Sequence, residues 1–353
     1  MLIKSVLLCL IFIVADSSLK KCDSCISIWE CDPAINLVKT DKSEKTRSKI
    51  KNSVCKINTG KDWHVCCSDF LTERIEVDDI DEIEEHYNRH LLPNTCGEIR
   101  GTKIFGGVRA GNGEFPWMVL IYFKRNGKSA AECGASLIND RYVLTAAHCV
   151  RRQEILGVRV GEYDLTKNPE CESINKNHCT THKDLPISDT IIHPNFKQYP
   201  KMINDIALLR LRTPANFSCI NIKPICLPLP QNLRERTLVE EVATVAGWGL
   251  TERQTPSNVL LKTGLAIRNN SYCDMFYPGF SEENKICAGH PGNDTCRGDS
   301  GGPLKLEDNY YDTYRFVQYG IVSYGGLSCG SDLPGVYTDV RQYLKWILDT
   351  IRP

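Results

Sequence analysis

The sequence predicts a large all-β body of barrel or sandwich type, preceded by a small module held by disulfides, and three observations predict it. From residue 104 onward, short β-rich runs (117–123, 142–145, 155–160, 207–211 and 244–246) alternate with Gly, Pro, Asn and Asp turns. The cysteines form two sets, one crowded before residue 68 and one spread through the rest. The N-terminal stretch is rich in lysine and poor in large apolar residues, so it cannot bury enough surface to fold without cross-links.

The first element, residues 1–18, reads as a secretory leader. Lys4 supplies a positive charge, residues 5–14 are almost wholly apolar, and 15–18 are small or polar. That apolar run is far shorter than the roughly 20 residues a spanning helix needs, and no later stretch is long enough either, so no membrane association is expected. Of 18 cysteines, Cys9 lies in this leader. In an oxidising compartment the seventeen others should pair and leave one over. They are not grouped as two close pairs, which disfavours zinc.

The next element spans residues 22–67 and holds Cys22, Cys25, Cys31, Cys55, Cys66 and Cys67. Adjacent Cys66 and Cys67 cannot easily bond to each other and must reach two different places. Residues 68–103 follow, with an acidic run from Glu73 through Glu76, Asp78, Asp79, Asp81, Glu82 and Glu84 to Glu85, broken by Pro93. They read as a solvated linker ending in an activation segment, or as a docking segment for a basic partner. At the far end Val340, Leu344, Ile347, Leu348 and Ile351 recur at helical spacing, predicting a terminal helix docked on the body. Lys plus Arg and Asp plus Glu both number 43, giving zero formal charge. That balance offers no basic face for nucleic acid and leaves another protein as the partner.

Three motifs carry chemistry. Leu144-Thr145-Ala146-Ala147-His148-Cys149 ends a strand with a histidine beside a cysteine. Asn204-Asp205-Ile206-Ala207-Leu208-Leu209 sets an aspartate before an apolar strand, and Asp299-Ser300-Gly301-Gly302-Pro303 presents a serine on a glycine-flanked loop. Each alone has a dull reading. Together and in this order they resemble the chymotrypsin/trypsin family of serine proteases, over residues 104–353. The resemblance implies two six-stranded antiparallel β-barrels with a C-terminal helix and an active site in the cleft between the barrels. His148 would take the proton of Ser300, and Asp205 would hold the imidazole tautomer and stabilise its cation. The N–H groups of Gly298 and Ser300 would face the oxyanion, each such donor being worth about 3–4 kcal/mol. Asp294 matches the acid at the base of a trypsin-like specificity pocket, with Gly325 and Gly335 at its walls, implying cleavage after Arg or Lys. Ser323-Tyr324-Gly325 resembles the strand edge that pairs with substrate backbone. No cofactor is needed for this chemistry.

The same resemblance extends to control. Lys103-Ile104-Phe105-Gly106-Gly107 resembles the family's activation junction. A cut after Lys103 would free the Ile104 ammonium to pair with Asp299; before the cut Asp299 should point elsewhere, leaving the oxyanion hole unformed. Arg100 competes as a cut site, but would leave three residues before Ile104. The core bridges implied are Cys133–Cys149, Cys273–Cys287 and Cys296–Cys329, with Cys96–Cys226 tethering the N-terminal part and Cys171–Cys179 as a local extra. The first cysteine set resembles the clip domain of arthropod immune and developmental proteases, implying Cys22–Cys66, Cys25–Cys55 and Cys31–Cys67. Only two residues separate Cys22 from Cys25, fewer than usual, so the first loop is trimmed. Cys219 is the odd thiol: free, buried or intermolecular. Glu162, Asp164, Lys167 and Glu170 resemble a calcium loop, or form a solvated acidic turn. Asn216 and Asn269 begin glycosylation sequences.

These readings add up to a secreted haemolymph zymogen in an immune cascade leading to melanisation or Toll signalling. An upstream protease would activate it, a downstream zymogen, prophenoloxidase or a cytokine precursor would be its substrate, and a serpin would inhibit it. The alternative is a clip-domain homologue without activity, acting as a binding cofactor. Such chains typically lose the catalytic serine, whereas Ser300, His148 and Asp205 are all present here.

Overall fold

Disulfides shape the first unit. The structure is a computed structural model describing residues 22, 25–40, 44–57, 63–71, 81–99, 108–171, 179–198, 202–251, 254–277, 280, 284–289, 298–326 and 333–353. It divides into Met1–Ile80 and Asp81–Pro353. In the first unit β1 (Cys25–Ser27), β2 (Val54–Ile57) and β3 (Trp63–Cys66) form an antiparallel sheet in the order β1-β3-β2. Cys22–Cys66, Cys25–Cys55 and Cys31–Cys67 are bonded, with Cα separations of 6.0, 6.0 and 5.7 Å. Two helices, Asp32–Thr40 and Glu44–Asn52, fill the span between β1 and β2. Ala34, Leu37 and Val38 recur at helical spacing in the first, whereas Ile50 is the one apolar residue of the second; Ala34 and Ile50 join Ile28, Val54, Val65 and Phe70 in a small core. Phe70, on the helix Ser68–Leu71, carries this unit beyond the expected boundary at Cys67.

The second unit follows the trypsin-like fold. β4 (Val108–Arg109) leads to β5 (Met118–Arg125), β6 (Lys128–Leu137), β7 (Tyr142–Thr145) and β8 (Ile155–Val160). A two-strand pairing of β9 (Glu170–Cys171) and β10 (Cys179–Thr180) sets Cys179 opposite Cys171; the side chains of this pair lie outside the described residues. β11 (Lys183–Leu185), β12 (Ile187–Ile192) and β13 (Ala207–Leu211) complete a sheet of order β11-β8-β5-β6-β7-β13-β12. Seven strands stand where six were expected, and Pro186 is the reason. It has no N–H to give the ladder, so one strand breaks in two. Its first half bonds β8 and its second half β13, so six strand paths form the barrel.

The second barrel uses β14 (Val242–Gly247), β15 (Leu261–Arg268), β16 (Lys285–Ala288), β17 (Pro303–Tyr310), β18 (Thr313–Tyr324) and β19 (Gly335–Asp339). Six of its strands form a ring closed by β14 on β15, and β4 adds to β15 as a seventh. Each barrel has its own core. Trp117, Ile121, Leu144, Leu208 and Val158 fill the first; Tyr319, Leu265, Leu304 and Tyr337 fill the second. The terminal helix is shorter than its apolar spacing suggested. Asp339 caps a 3-10 turn, Val340–Tyr343, and the α-helix runs Leu344–Thr350 with Leu344, Ile347 and Leu348 buried. Among the described residues no helix is long and apolar enough to cross a membrane.

Over 81–99, the described part of the expected linker belongs to the second unit. Asp81 pairs with Arg234, and Glu82 with Lys345 at 2.9 Å. Buried Asn88 donates to the carbonyls of Leu348 and Ile351, at 2.9 and 2.8 Å, satisfying the end of the terminal helix. His86 binds Asp349 at 2.9 Å, and Cys96–Cys226 joins this strap to the barrel side with Cα atoms 5.0 Å apart. Asp81 and Glu82, at the described end of the acidic run, therefore meet basic side chains of the body; Glu73, Glu76, Asp78 and Asp79 lie outside the described residues.

One buried charge stands out. Lys305 on β17 is fully buried, and its Nζ lies 4.0 Å above the Phe115 ring with no hydrogen-bond partner. Glu114, the nearby anion, is bound to Lys262 at 2.5 Å and to Gly111 N–H at 2.7 Å. Burial pushes the Lys305 ammonium down to about 7; the Glu114 charge acts to raise it and the Lys262 charge to lower it further. An amine depressed in the folded state penalises folding fully below pH 7, and the penalty fades as pH rises toward the unfolded value. Lys305→Met should therefore raise stability by about 2–4 kcal/mol at pH 6, with the gain shrinking by pH 10. Urea melts at both pH values check this; an equal gain at both would show that the charge of Lys305 is not the cause.

Candidate active site

His148 is fixed from both sides. It sits on the short helix Ala147–Val150 that follows β7, where Ala146 and Ala147 are fully buried. The Cys133–Cys149 bridge, with Cα atoms 6.2 Å apart, ties that helix to β6. Asp205 precedes β13, which pairs with β7. Its carboxylate is 1 % exposed and receives three donors. The His148 N–H reaches Oδ1 at 2.8 Å, His148 Nδ1 reaches Oδ2 at 2.7 Å, and the Ser323 hydroxyl reaches Oδ2 at 2.5 Å. The Asp205 carbonyl accepts from Thr338 Oγ1 at 2.9 Å. With Nδ1–H committed to Asp205, a neutral imidazole carries its lone pair on Nε2. Such a pair can take a proton from a hydroxyl brought to Nε2 and hold the resulting cation.

The serine loop is locked by backbone. The Ser300 carbonyl accepts from Gly134 N–H on β6, and Gly301 N–H donates to Val322 on β18, both at 2.8 Å. A Cβ at Gly301 would come within 2.2 Å of Thr145 Oγ1, so the loop lies against the strand that leads to His148. Gly298 has φ +101°, and a Cβ there would meet Gly249 Cα at 2.8 Å. Glycine is required on both counts. The Asp299 carboxylate turns toward β14, accepting Gly249 N–H at 2.9 Å and packing so closely on Gly247 that a Cβ there would sit 2.0 Å away.

Of the specificity residues, Gly325 follows Tyr324 at the end of β18, and Gly335 begins β19. Tyr324 stands opposite Val336, so the two glycines share one edge of neighbouring strands. Asp294, Lys103, Ile104 and the Cys296–Cys329 pair lie outside the described residues. Cys273–Cys287 is bonded with Cα atoms 5.9 Å apart, and Cys219 is a half-buried free thiol. Asn216 and Asn269 are both exposed, each accepting from the backbone two residues on.

The acidic loop after β8 is paired within itself. Glu162 binds Arg159 at 3.3 Å and His182 at 3.1 Å, while Lys167 binds Asp164 at 2.8 Å and holds its carboxyl down at about 2. Glu170 accepts Asp164 N–H, and burial raises its pKa, with further contributions from Glu162 and Asp164. The carboxylates are engaged by cations and an amide, and among the described residues they do not converge as a ligand set.

Sequence reasoning placed Ser323 only on a substrate-binding edge and missed its bond to Asp205. It missed Thr338 altogether. Neither carries a local signal, because Ser323 and Thr338 lie 118 and 133 residues from Asp205.

A trypsin family model matches residues 104–347, and a model for the regulatory CLIP domain of proteinases matches residues 24–67. "Serine protease ea" of Drosophila melanogaster is 39% identical over 93% of this chain and 88% of its own length. "Melanization protease 1" of the same species is 36% identical over 93% and 90%. A solved structure of the Drosophila Grass clip serine protease of the Toll pathway is 30% identical, with a TM-score of 0.66, covering 93% of this chain and 92% of that one. The chain belongs to the trypsin family of serine proteases and carries a regulatory CLIP domain. It is a serine endopeptidase, and catalysis in this family needs no cofactor.

Proposed function

We propose that the chain is a secreted zymogen, activated by a cut after Lys103, whose mature form cleaves protein substrates after Arg or Lys. The observation that carries this reading is the His148–Asp205 pair, held 2.7 Å apart beside the locked Ser300 loop. Ser300 attacks the scissile carbonyl, His148 takes its proton and later delivers it to the leaving amine, and Asp205 steadies the imidazolium. The Gly298 and Ser300 N–H groups receive the oxyanion. Asp294 binds the substrate cation, and Gly325 and Gly335 leave the pocket open to it.

The Ile104 ammonium released by the cut pairs with Asp299, whose setting against Gly247 and Gly249 leaves it beside the loop that carries Gly298. The segment up to Lys103 stays attached through Cys96–Cys226. Ion pairs of 81–99 with the body reinforce that attachment. The names of relatives support placement in a cascade of innate immunity, melanisation or Toll signalling. The partners are then an upstream activating protease, a downstream zymogen, prophenoloxidase or cytokine precursor as substrate, and a serpin. The exposed Asn216 and Asn269 carry glycans in a haemolymph protein.

The test is a panel of short amides ending in Arg, Lys, Phe or Ala, offered to the chain after the cut. Turnover of the Arg and Lys members alone is expected; equal turnover of all four would remove Asp294 from its role.

A further inference from the structure

Asp205 is held at two points by one short segment, 338–343. Thr338 Oγ1 donates to its carbonyl at 2.9 Å, and the Tyr343 hydroxyl donates to Oδ1 of the preceding Asn204 at 2.8 Å. Asn284 also bonds the Tyr343 hydroxyl. Asn204 has φ +52°, in the left-handed region that asparagine tolerates at a cost. Its Nδ2 is fixed in turn on the Asn195 carbonyl at 3.0 Å. Between the two contacts, Asp339 caps the 3-10 turn and pairs with Arg341 at 2.6 Å. The helix Leu344–Thr350 begins at the next residue.

The strap 81–99 grips this segment on both sides. Beyond Tyr343, Asn88 Nδ2 donates to the carbonyls of Leu348 and Ile351. The Asn88 N–H donates to His86 Nδ1 at 3.1 Å, which leaves His86 Nε2 to donate to Asp349. Before Tyr343, Arg341 donates to the carbonyls of Arg234 and Arg236 at 3.4 and 2.9 Å, and Arg234 pairs with Asp81. The Glu82–Lys345 pair is exposed and adds little. Asn88 is the strongest of these links, because it is only 8% exposed and satisfies two carbonyls that a helix end leaves open.

We propose that Asn88 is a positioning residue for Asp205. By anchoring the terminal helix it holds Tyr343 on Asn204, and so keeps the Asp205 carboxylate on His148. This rests on the catalytic role proposed for Asp205. The segment 81–99, retained by Cys96–Cys226 after a cut at Lys103, is then a working part of the mature enzyme rather than a remnant of the precursor.

The test uses the full chain cut after Lys103, with an Arg-ended amide, in wild type, Asn88→Ala, Tyr343→Phe and the double variant. Each single change should lower kcat about tenfold and leave KM within about twofold, because the reacting groups shift while substrate binding does not. The double variant should be no slower than the slower single one, since both changes release the same hold. Losses that multiply in the double variant, or a lower melting temperature in Asn88→Ala with kcat unchanged, would overturn the proposal. A readout without turnover is the NMR signal of the His148 Nδ1 proton, recorded in Ser300→Ala with and without Asn88→Ala. It should shift or broaden when Asn88 is replaced, and an unchanged signal would count against the proposal. If Asn88→Ala does not fold, His86→Phe takes its place, since it frees the Asn88 N–H and Asp349 but keeps the Nδ2 bonds. A cut wild type without turnover would count against the catalytic reading alone, and the NMR signal would still decide the role of Asn88.

Discussion

Replacing Ser300 with alanine should lower turnover of an Arg-ended amide by about a millionfold while leaving the fold unchanged. The size follows from how the residues act together. Without the hydroxyl, the His148–Asp205 pair has no nucleophile to deprotonate, and only binding and the oxyanion donors remain, which still leave a rate above that of water. The fold should survive because the loop is held by the Ser300 carbonyl on Gly134 and by Gly301 N–H on Val322, both backbone groups. Progress curves at high enzyme concentration, with melting curves of both proteins, check this. Near wild-type turnover in the variant would remove Ser300 from the chemistry; a lost melting transition would show that its side chain is structural.

Asp205→Asn should cost about ten-thousandfold in kcat at neutral pH, and it should also destabilise the protein. The carboxylate accepts from His148 N–H, His148 Nδ1 and Ser323 Oγ, with only 1% of its side chain exposed. An amide offers one oxygen and one NH2, so at least one buried donor then faces another donor. If that donor is Nδ1–H, the imidazole must move its proton to Nε2 and can no longer act as a base toward serine. The unsatisfied group costs about 1–3 kcal/mol. Ser323→Ala removes one donor without reversing the others, so its loss should be much smaller. Equal losses in the two variants would show that hydrogen-bond number, rather than the histidine tautomer, governs the rate.

Much of this was legible in the sequence because the chemistry is written in contiguous strings. The histidine, aspartate and serine motifs named the family, and the six clip cysteines carried their pairing with it. What was hidden depends on distance. Ser323 and Thr338 meet Asp205 only because β18 and β19 pair beside it. The break at Pro186 changes a strand count without changing the barrel, and only the two edges it bonds reveal that. Asp81 and Glu82 read as part of a solvated run because like charges in a row usually repel; their partners Arg234 and Lys345 come from remote elements. The helix Glu44–Asn52 has only Ile50 to mark its period, because disulfides supply what a larger core would. The buried Lys305 was not legible at all, since burial of a charge has no sequence signature.

The most direct measurement is hydrolysis of Arg- and Lys-ended amides before and after a controlled cut at Lys103, with N-terminal sequencing of the product. Activity that appears together with an Ile-Phe-Gly-Gly terminus is the expected result, and it would tie the triad, the pocket and the switch to one event. Full activity in the uncut chain would contradict the switch. A clean cut without activity would contradict the catalytic reading and leave the clip module as the functional part.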